Sequence, residues 1–308
     1  MSREERVALL DREQSVTRVQ GLSIRAQTQL LGLNRSSLYY RSVPPSEGGL
    51  LLKRCIDEVY TAHPFYGSRR IAVQLRQQGW SVNRKAVVRH MQEMGLSAIC
   101  PGPHRPNLSK RAQEHGVYPY LLRGVVAKEP NHVWGVDITY IRMVGTYPGW
   151  LYLVAVLDWH SRYIVSWELS QNMEQGFVMD AARKALVTAT PIIWNSDQGS
   201  QFTSPQYTSL LEEAGVQISM DGRGRFVDNI FTERLWRTIK YEEVYLHEYS
   251  TPREARQSLS EYIEFYNHDR PHQALGYQTP AAVYRRIATR IATTEGGNLT
   301  LENASDWS

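Results

Sequence analysis

The chain has 308 residues, 42% of them hydrophobic, which suits two or three domains with real cores and excludes a wholly disordered chain. No run of eighteen apolar residues occurs, the N-terminus MSREERVALLDREQ is charged, and the two cysteines, Cys55 and Cys100, are too few for a disulfide framework; a membrane span, a secretory signal and an oxidising compartment are therefore not expected. The net charge of +4 hides an asymmetry, because residues 1–125 carry 19 Lys+Arg against 9 Asp+Glu, which points to a polyanionic partner or, equally well on charge alone, to a solvated arginine-rich surface.

Residues 21–41 read as two short helices with a tight break. Ile24, Gln27, Leu30 and Leu31 suit the first, Gly32 ends it, and Asn34 can cap a second through Ser36, Leu38 and Tyr39. This is a helix-turn-helix pattern with Arg35 and Arg41 near its reading helix. SVPPSEGG (42–49) then reads as a linker. A second hairpin follows. Ser68 to Gln78 places Ile71, Ala72 and Leu75 at helical spacing before Gly79. Asn83 caps the next helix, which turns Val87, Val88 and Met91 inward and Arg84, Lys85 and Arg89 outward before Gly95. Two basic hairpins in tandem favour DNA binding, while each alone is also what a plain helical hairpin with solvated arginines looks like. PGPHRPNLSKRAQEHG (101–116) has no period and reads as a basic linker, either along a DNA backbone or as a passive tether.

Beyond it the texture changes. Trp134–Met143, Trp150–Leu157 and Arg162–Leu169 read as three strands of an antiparallel meander. A helix over Glu174–Val187, a short strand over Ile192–Trp194, a helix from Pro205 capped by Ser204, a strand over Val216–Ser219, and a long helix from Asp228 to about Val244 complete a mixed α/β sheet. Trp134, Trp194 and Trp236 are expected in the core.

Three carboxylates stand out. Asp137 lies mid-strand in GVDIT, where a carboxylate is rare without a partner or a metal. Asp197 follows the apolar strand directly, at the carboxyl end where sites in open α/β sheets gather. Glu233 lies in the last helix, and at 100° per residue it shares a face with Arg237 and Lys240, opposite Phe231, Leu235 and Ile239. An ordinary surface helix with a Glu233–Arg237 pair reads the same way on its own. If the first and fourth strands are neighbours and the last helix packs across them, the three carboxylates converge. Their repulsion then calls for cations, with hard oxygen donors favouring two Mg²⁺, or Mn²⁺ in vitro. Lys240 and Arg237 can reach DNA phosphates.

The spacing of these residues, 59 between Asp137 and Asp197 and 35 between Asp197 and Glu233, with Lys240 seven positions after the glutamate, resembles DDE transposases and retroviral integrases. More narrowly, WGVDITY (134–140), LDWHSRYIVSW (157–167), NSDQGSQF (195–202), DNIFTERLWRTIKYEEV (228–244) and YNHDRPHQALGYQTPAAVY (266–284), with HPFYGSRRI (63–71) upstream, are similar to the second-reading-frame product of the IS-three family of insertion sequences. That resemblance covers residues 21–284. It implies a ribonuclease-H-like core, a mixed five-stranded sheet with flanking helices, preceded by all-α helix-turn-helix segments. It implies catalytic and metal-holding roles for Asp137, Asp197 and Glu233, and DNA contacts or loop-shaping roles for Gln198, Gly199, Gln201 and Asn229. It further implies double-stranded DNA as partner, a homo-oligomer on DNA, fusion to an upstream-frame DNA-binding product, and a bacterial, cytoplasmic, nucleoid-associated location. Asn195 stands where the family often has His. The polar turn Asn267, Arg270, Pro271, His272 is expected to brace the catalytic helix.

The expected organisation is a helix-turn-helix at 1–46, a second one at 47–101, a basic linker at 102–124, a catalytic domain at 125–287 and a polar tail at 288–308. A zinc site from His63, His90, Cys55 and Cys100 lacks the paired short spacings such sites need. Three functions compete: a transposase, a nuclease of the same fold that only hydrolyses, and a non-catalytic DNA-binding regulator.

Overall fold

The computed structural model describes residues 23–35, 46–100, 118–144, 149–221 and 230–286. The chain forms two compact units, Met1–Asp57 and Glu58–Ser308. In the first, helix α1 (Ile24–Leu30) is capped by Ser23, whose side chain accepts from the Ala26 amide, and it ends before Gly32 at φ 61°. Leu30, expected on the packed face, is 73% exposed, and Thr28 is buried instead. The second helix of this hairpin, with Arg41, falls at 36–45, outside the described residues.

Helix α2 (Glu47–Ala62) crosses from the first unit into the second. It corrects the reading of 42–49 as a linker in its last three residues. Glu47, Gly48 and Gly49 form the first turn, where Ser46 Oγ accepts from the Gly49 amide at 3.1 Å. Capping and an acidic residue at the positive end of the helix offset the entropy that two glycines lose. Helices α3 (Ser68–Gln77) and α4 (Arg84–Glu93) make the expected hairpin. Asn83 Oδ1 accepts from the Ala86 amide at 2.8 Å, and Ile71, Ala72, Leu75, Val87 and Met91 are buried.

The rest of the second unit is built on a five-stranded sheet of order β3-β2-β1-β4-β5: β1 (Val133–Met143), β2 (Gly149–Asp158), β3 (Ile164–Ser170), β4 (Ile193–Ser196) and β5 (Gln217–Met220). The first three pair antiparallel, and β4 joins β1 in parallel, with Gly135 opposite Asn195. Helices α5 (Gln175–Thr188) and α6 (Pro205–Glu213) flank the strands in the chain order expected. The two short strands start one residue later than expected. Ile192, assigned to β4, is half exposed, while Asn195 and Ser196 are buried within that strand.

Strand alternation divides the core in two. Trp134, Val136, Val154, Val156, Trp194 and Ile218 pack with α5 and α6. Ile141, Leu151, Leu153, Ala155 and Leu157 pack on the opposite side with α7 (Ile230–Ile239) and α8 (Pro252–His268). The last helix is not α-helical through Val244, as its period had implied. It changes to a π-helical turn at Lys240–Val244. The wider turn lets two consecutive acidic residues, Glu242 and Glu243, both direct their carboxylates into the protein, which the α-helical phase disfavours.

Candidate active site

Gly135 and Asn195 are register partners on neighbouring parallel strands, and Asp137 and Asp197 each follow by two residues. Equal offsets leave both aspartates on the same side of the sheet, Asp137 inside β1 and Asp197 one residue past the end of β4, on strands about 4.8 Å apart. Two donors hold the Asp137 carboxylate: the Ile138 amide reaches Oδ1 at 2.8 Å and Trp236 Nε1 reaches Oδ2 at 2.9 Å. Trp236 lies three residues after Glu233, one turn along the same side of α7. A single side chain therefore fastens the helix bearing the third carboxylate to the strand bearing the first.

Electrostatics reports the same proximity. Burial, then the Asp197 charge, and least the Glu233 charge, push the Asp137 carboxyl up to about 7, against the pull of its two hydrogen bonds. Lys240, half-buried at the start of the π-turn, is held below the usual lysine range by burial, with the Asp137 charge acting in the opposite sense. Asp137 has no ion pair among the described residues. Arg237 does not pair with Glu233 either; its guanidinium lies over the Tyr241 ring, 5.5 Å from the centroid.

Asp197 is shaped by the loop after it. The Gly199 amide donates to Asp197 Oδ1 at 2.8 Å, and a Cβ at 199 would lie 2.8 Å from that oxygen. Close approach to the carboxylate is therefore what requires glycine there. Gln201 is structural, its Nε2 donating to the Met173 carbonyl at 3.3 Å. Gln198 is half-buried beside Asp197. Asn195 is fully buried and donates to Asp221 Oδ1 at 3.0 Å, so it ties β4 to the end of β5.

Among the described residues, no three His, Cys, Asp or Glu side chains already stand as a metal-holding group. The donor chemistry nonetheless fits a hard divalent cation. Asp137 is a carboxylate that burial and two like charges disfavour as an anion, and an added cation removes that penalty.

The DNA-binding candidates are dispersed. Arg84, Lys85 and Arg89 are exposed on α4; Arg84 Nε reaches Ser68 Oγ at 3.4 Å and Arg89 lies 3.7 Å from Glu93. Arg35 is exposed, and Asn229 lies outside the described residues. Sequence reasoning placed Trp236 only in the core and missed its bond to Asp137, although its position one turn from Glu233 was the available signal. It also passed over Glu242. Of the polar turn expected to brace the catalytic helix, Arg270 does so, donating to both Glu242 oxygens at 2.6 Å, whereas Asn267 holds β3 instead, pairing with both backbone groups of Ile164 at 3.0 and 3.1 Å.

Two models of the integrase core domain match residues 127–225 and 214–280, and a model of an HTH-like domain matches 49–104. A solved structure of the HTLV-2 integrase catalytic core domain in complex with magnesium aligns with TM-score 0.42 and 17% identity, over 52% of this chain and 99% of that one. Fold and matched domains define a ribonuclease-H-like enzyme of the DDE polynucleotidyl-transferase class, with DNA as its partner. The transposase for insertion sequence element IS629 of Shigella sonnei is 33% identical over 79% of this chain and 82% of its own length. The transposase for IS904 of Lactococcus lactis is 35% identical over 75% and 92%, respectively. The chain belongs to the IS3 family of insertion-sequence transposases and serves DNA transposition. Among the described residues no helix is long and apolar enough to cross a membrane.

Proposed function

We propose that Asp137, Asp197 and Glu233 are the catalytic carboxylates of a divalent-cation-dependent reaction that cuts the element's ends and joins them to target DNA. The observation that supports this most directly is the β1–β4 register, which gives the two aspartates matching positions on adjacent strands. Bound there, two Mg²⁺ ions, or Mn²⁺ in vitro, would supply Lewis-acid activation of the attacking oxygen and charge stabilisation of the leaving one. The chain's own part is positioning. Trp236 and the Ile138 amide fix the orientation of Asp137, the Gly199 amide fixes that of Asp197, and α7 with the π-turn carries Glu233 and Lys240, whose charges act on or with that of Asp137. Lys240 and Arg237 would neutralise phosphate oxygens, and Gln198 and Asn229 would contact the DNA.

In the first step a water oxygen bonds to phosphorus and the 3′ oxygen of the element leaves as a hydroxyl. In the second, that hydroxyl attacks a target phosphodiester, one P–O bond replacing another, so no external energy source is required. Arg35, Arg84, Lys85 and Arg89 belong to the two hairpins, at 1–46 and 47–101, that would grip the ends. Residues 102–124 would link them to the catalytic domain at 125–287, with 288–308 as a tail. The working form would be a homo-oligomer on DNA, made as a fusion with an upstream-frame product.

The test is a labelled element-end duplex with Mg²⁺. Joined product is the expected outcome; cut product alone makes the chain a nuclease, and neither product with retained binding makes it a regulator. Asp197→Asn is expected to abolish cutting and joining by at least about a hundredfold while DNA binding persists. Retained cleavage in that variant would remove Asp197 from the site.

A further inference from the structure

Among the described residues, one carboxylate outside these three accepts four hydrogen bonds. Glu242, two residues after Lys240 in the π-turn, has its side chain 11% exposed. It accepts from Arg270 Nε and Nη2 at 2.6 Å each, from Tyr262 OH at 3.0 Å and from Arg70 Nη1 at 2.9 Å. These donors come from three places. Tyr262 belongs to α8, Arg270 to the turn after it, and Arg70 to α3 of the HTH-like hairpin. Arg70 is thus spent inside the protein, in contrast to Arg84, Lys85 and Arg89 on the neighbouring helix. Aromatic packing reinforces the junction. His63 stacks on Phe265 of α8 at 4.7 Å, and Arg70 lies over the ring of fully buried Tyr66 at 5.3 Å.

We propose that Glu242 is a positioning residue. By sharing one carboxylate between Arg70 and Arg270, it fixes the α3–α4 hairpin to the turn that presents Lys240, so that DNA gripped by the hairpin meets the carboxylates at a set angle. This rests on the reading of Asp137, Asp197 and Glu233 as the catalytic site. The chemistry favours such a role because a fully donated, buried carboxylate has one acceptable geometry, whereas an apolar contact of the same size tolerates sliding. Glu243, the next residue, accepts from Tyr249 OH at 2.9 Å and from Ser258 Oγ, so the π-turn is anchored on α8 independently of the hairpin. Losing Arg70 therefore uncouples the hairpin without releasing the turn altogether.

The experiment uses Arg70→Met, Arg70→Lys and Glu242→Gln in the full chain, with Asp197→Asn as control. Arg70→Met is expected to lower kcat for joining of an element-end duplex about tenfold, with KM and melting temperature nearly unchanged, because grip survives and delivery does not. Arg70→Lys, which can still donate to the carboxylate, is expected to recover most of the loss. Amide hydrogen exchange provides a readout free of turnover: Arg70→Met should speed exchange in α3, while residues 240–244, still held through Glu243, change little. Unchanged kcat per folded molecule, a change in KM alone, or unchanged exchange in α3 would each overturn the proposal. Should Glu242→Gln fail to fold, the Arg70 pair still decides. If Asp197→Asn retains activity, it is the site assignment that fails, and the exchange data still judge the clamp.

Discussion

The side chain that ties the site together, Trp236, is one whose sequence context announces only burial. Its indole N–H favours the ionised form of Asp137, so its removal has a definite sign. In the cation-free protein Trp236→Phe is expected to raise the Asp137 pKa above about 7, moving the carboxyl titration followed by NMR to higher pH. An unmoved titration would show that the indole does not hold the Asp137 anion. The same carboxyl gives a stability signature in the cation-free protein. Its folded value of about 7 exceeds the ordinary 3.8, so between these values the folded chain holds a proton that the unfolded chain releases. That contribution is complete below 3.8 and is lost as pH rises through 7. Melting temperature should therefore fall over this window, Asp137→Asn should flatten the fall, and Mg²⁺ should stabilise more on its alkaline side. Equal stabilisation by Mg²⁺ across the window would argue against binding at Asp137.

Among the elements, the contact of β1 with α7 is the most demanding. Gly135 is not at a turn. A Cβ there would stand 2.3 Å from Trp159 Nε1 and 3.0 Å from Thr232 Oγ1, so strand and helix meet over a missing side chain. Gly135→Ala is expected to destabilise by about 1–3 kcal/mol through overpacking, and to depress activity further by pushing Thr232, and α7 with it, away from the strand. Denaturant unfolding of this variant alongside wild type measures the first effect, and a neutral result would mean the helix can retreat without loss. The elements themselves were legible because their periods are clean. Alternation marked β1, Ser204 and Asn83 marked helix starts, and Gly32, Gly79 and Gly95 marked helix stops, all three with positive φ. What escaped was set by tertiary partners. The π-turn depends on Tyr249 just beyond it and on Tyr262, Ser258 and Arg270, which are 14 or more residues past its end, and the helical start at Glu47 overrode two glycines.

At the scale of the whole molecule, the charge asymmetry of the sequence resolves into two uses. Arg70, half-buried, is tied to Glu242, while Arg84, Lys85 and Arg89 are exposed on α4 and remain available for phosphate. Neutralising those three one at a time should weaken DNA binding without regard to sequence and reduce the salt slope of log K by about 0.9 for each phosphate left without its cationic partner. A slope that stays constant would place the DNA elsewhere. Composition could announce a basic front half, but it could not sort Arg70 from Arg84, Lys85 and Arg89, since all four lie on amphipathic helices. The meeting of Asp137 and Asp197 was legible in outline, because an apolar strand ending in an aspartate has few places to go in an α/β sheet. The cluster also has a temporal side. Its members are collected from β1, the loop after β4 and α7, and synthesis from the amino terminus supplies Glu233 last. A nascent chain that has not yet reached α7 therefore lacks Glu233, the last of the three carboxylates proposed for the site.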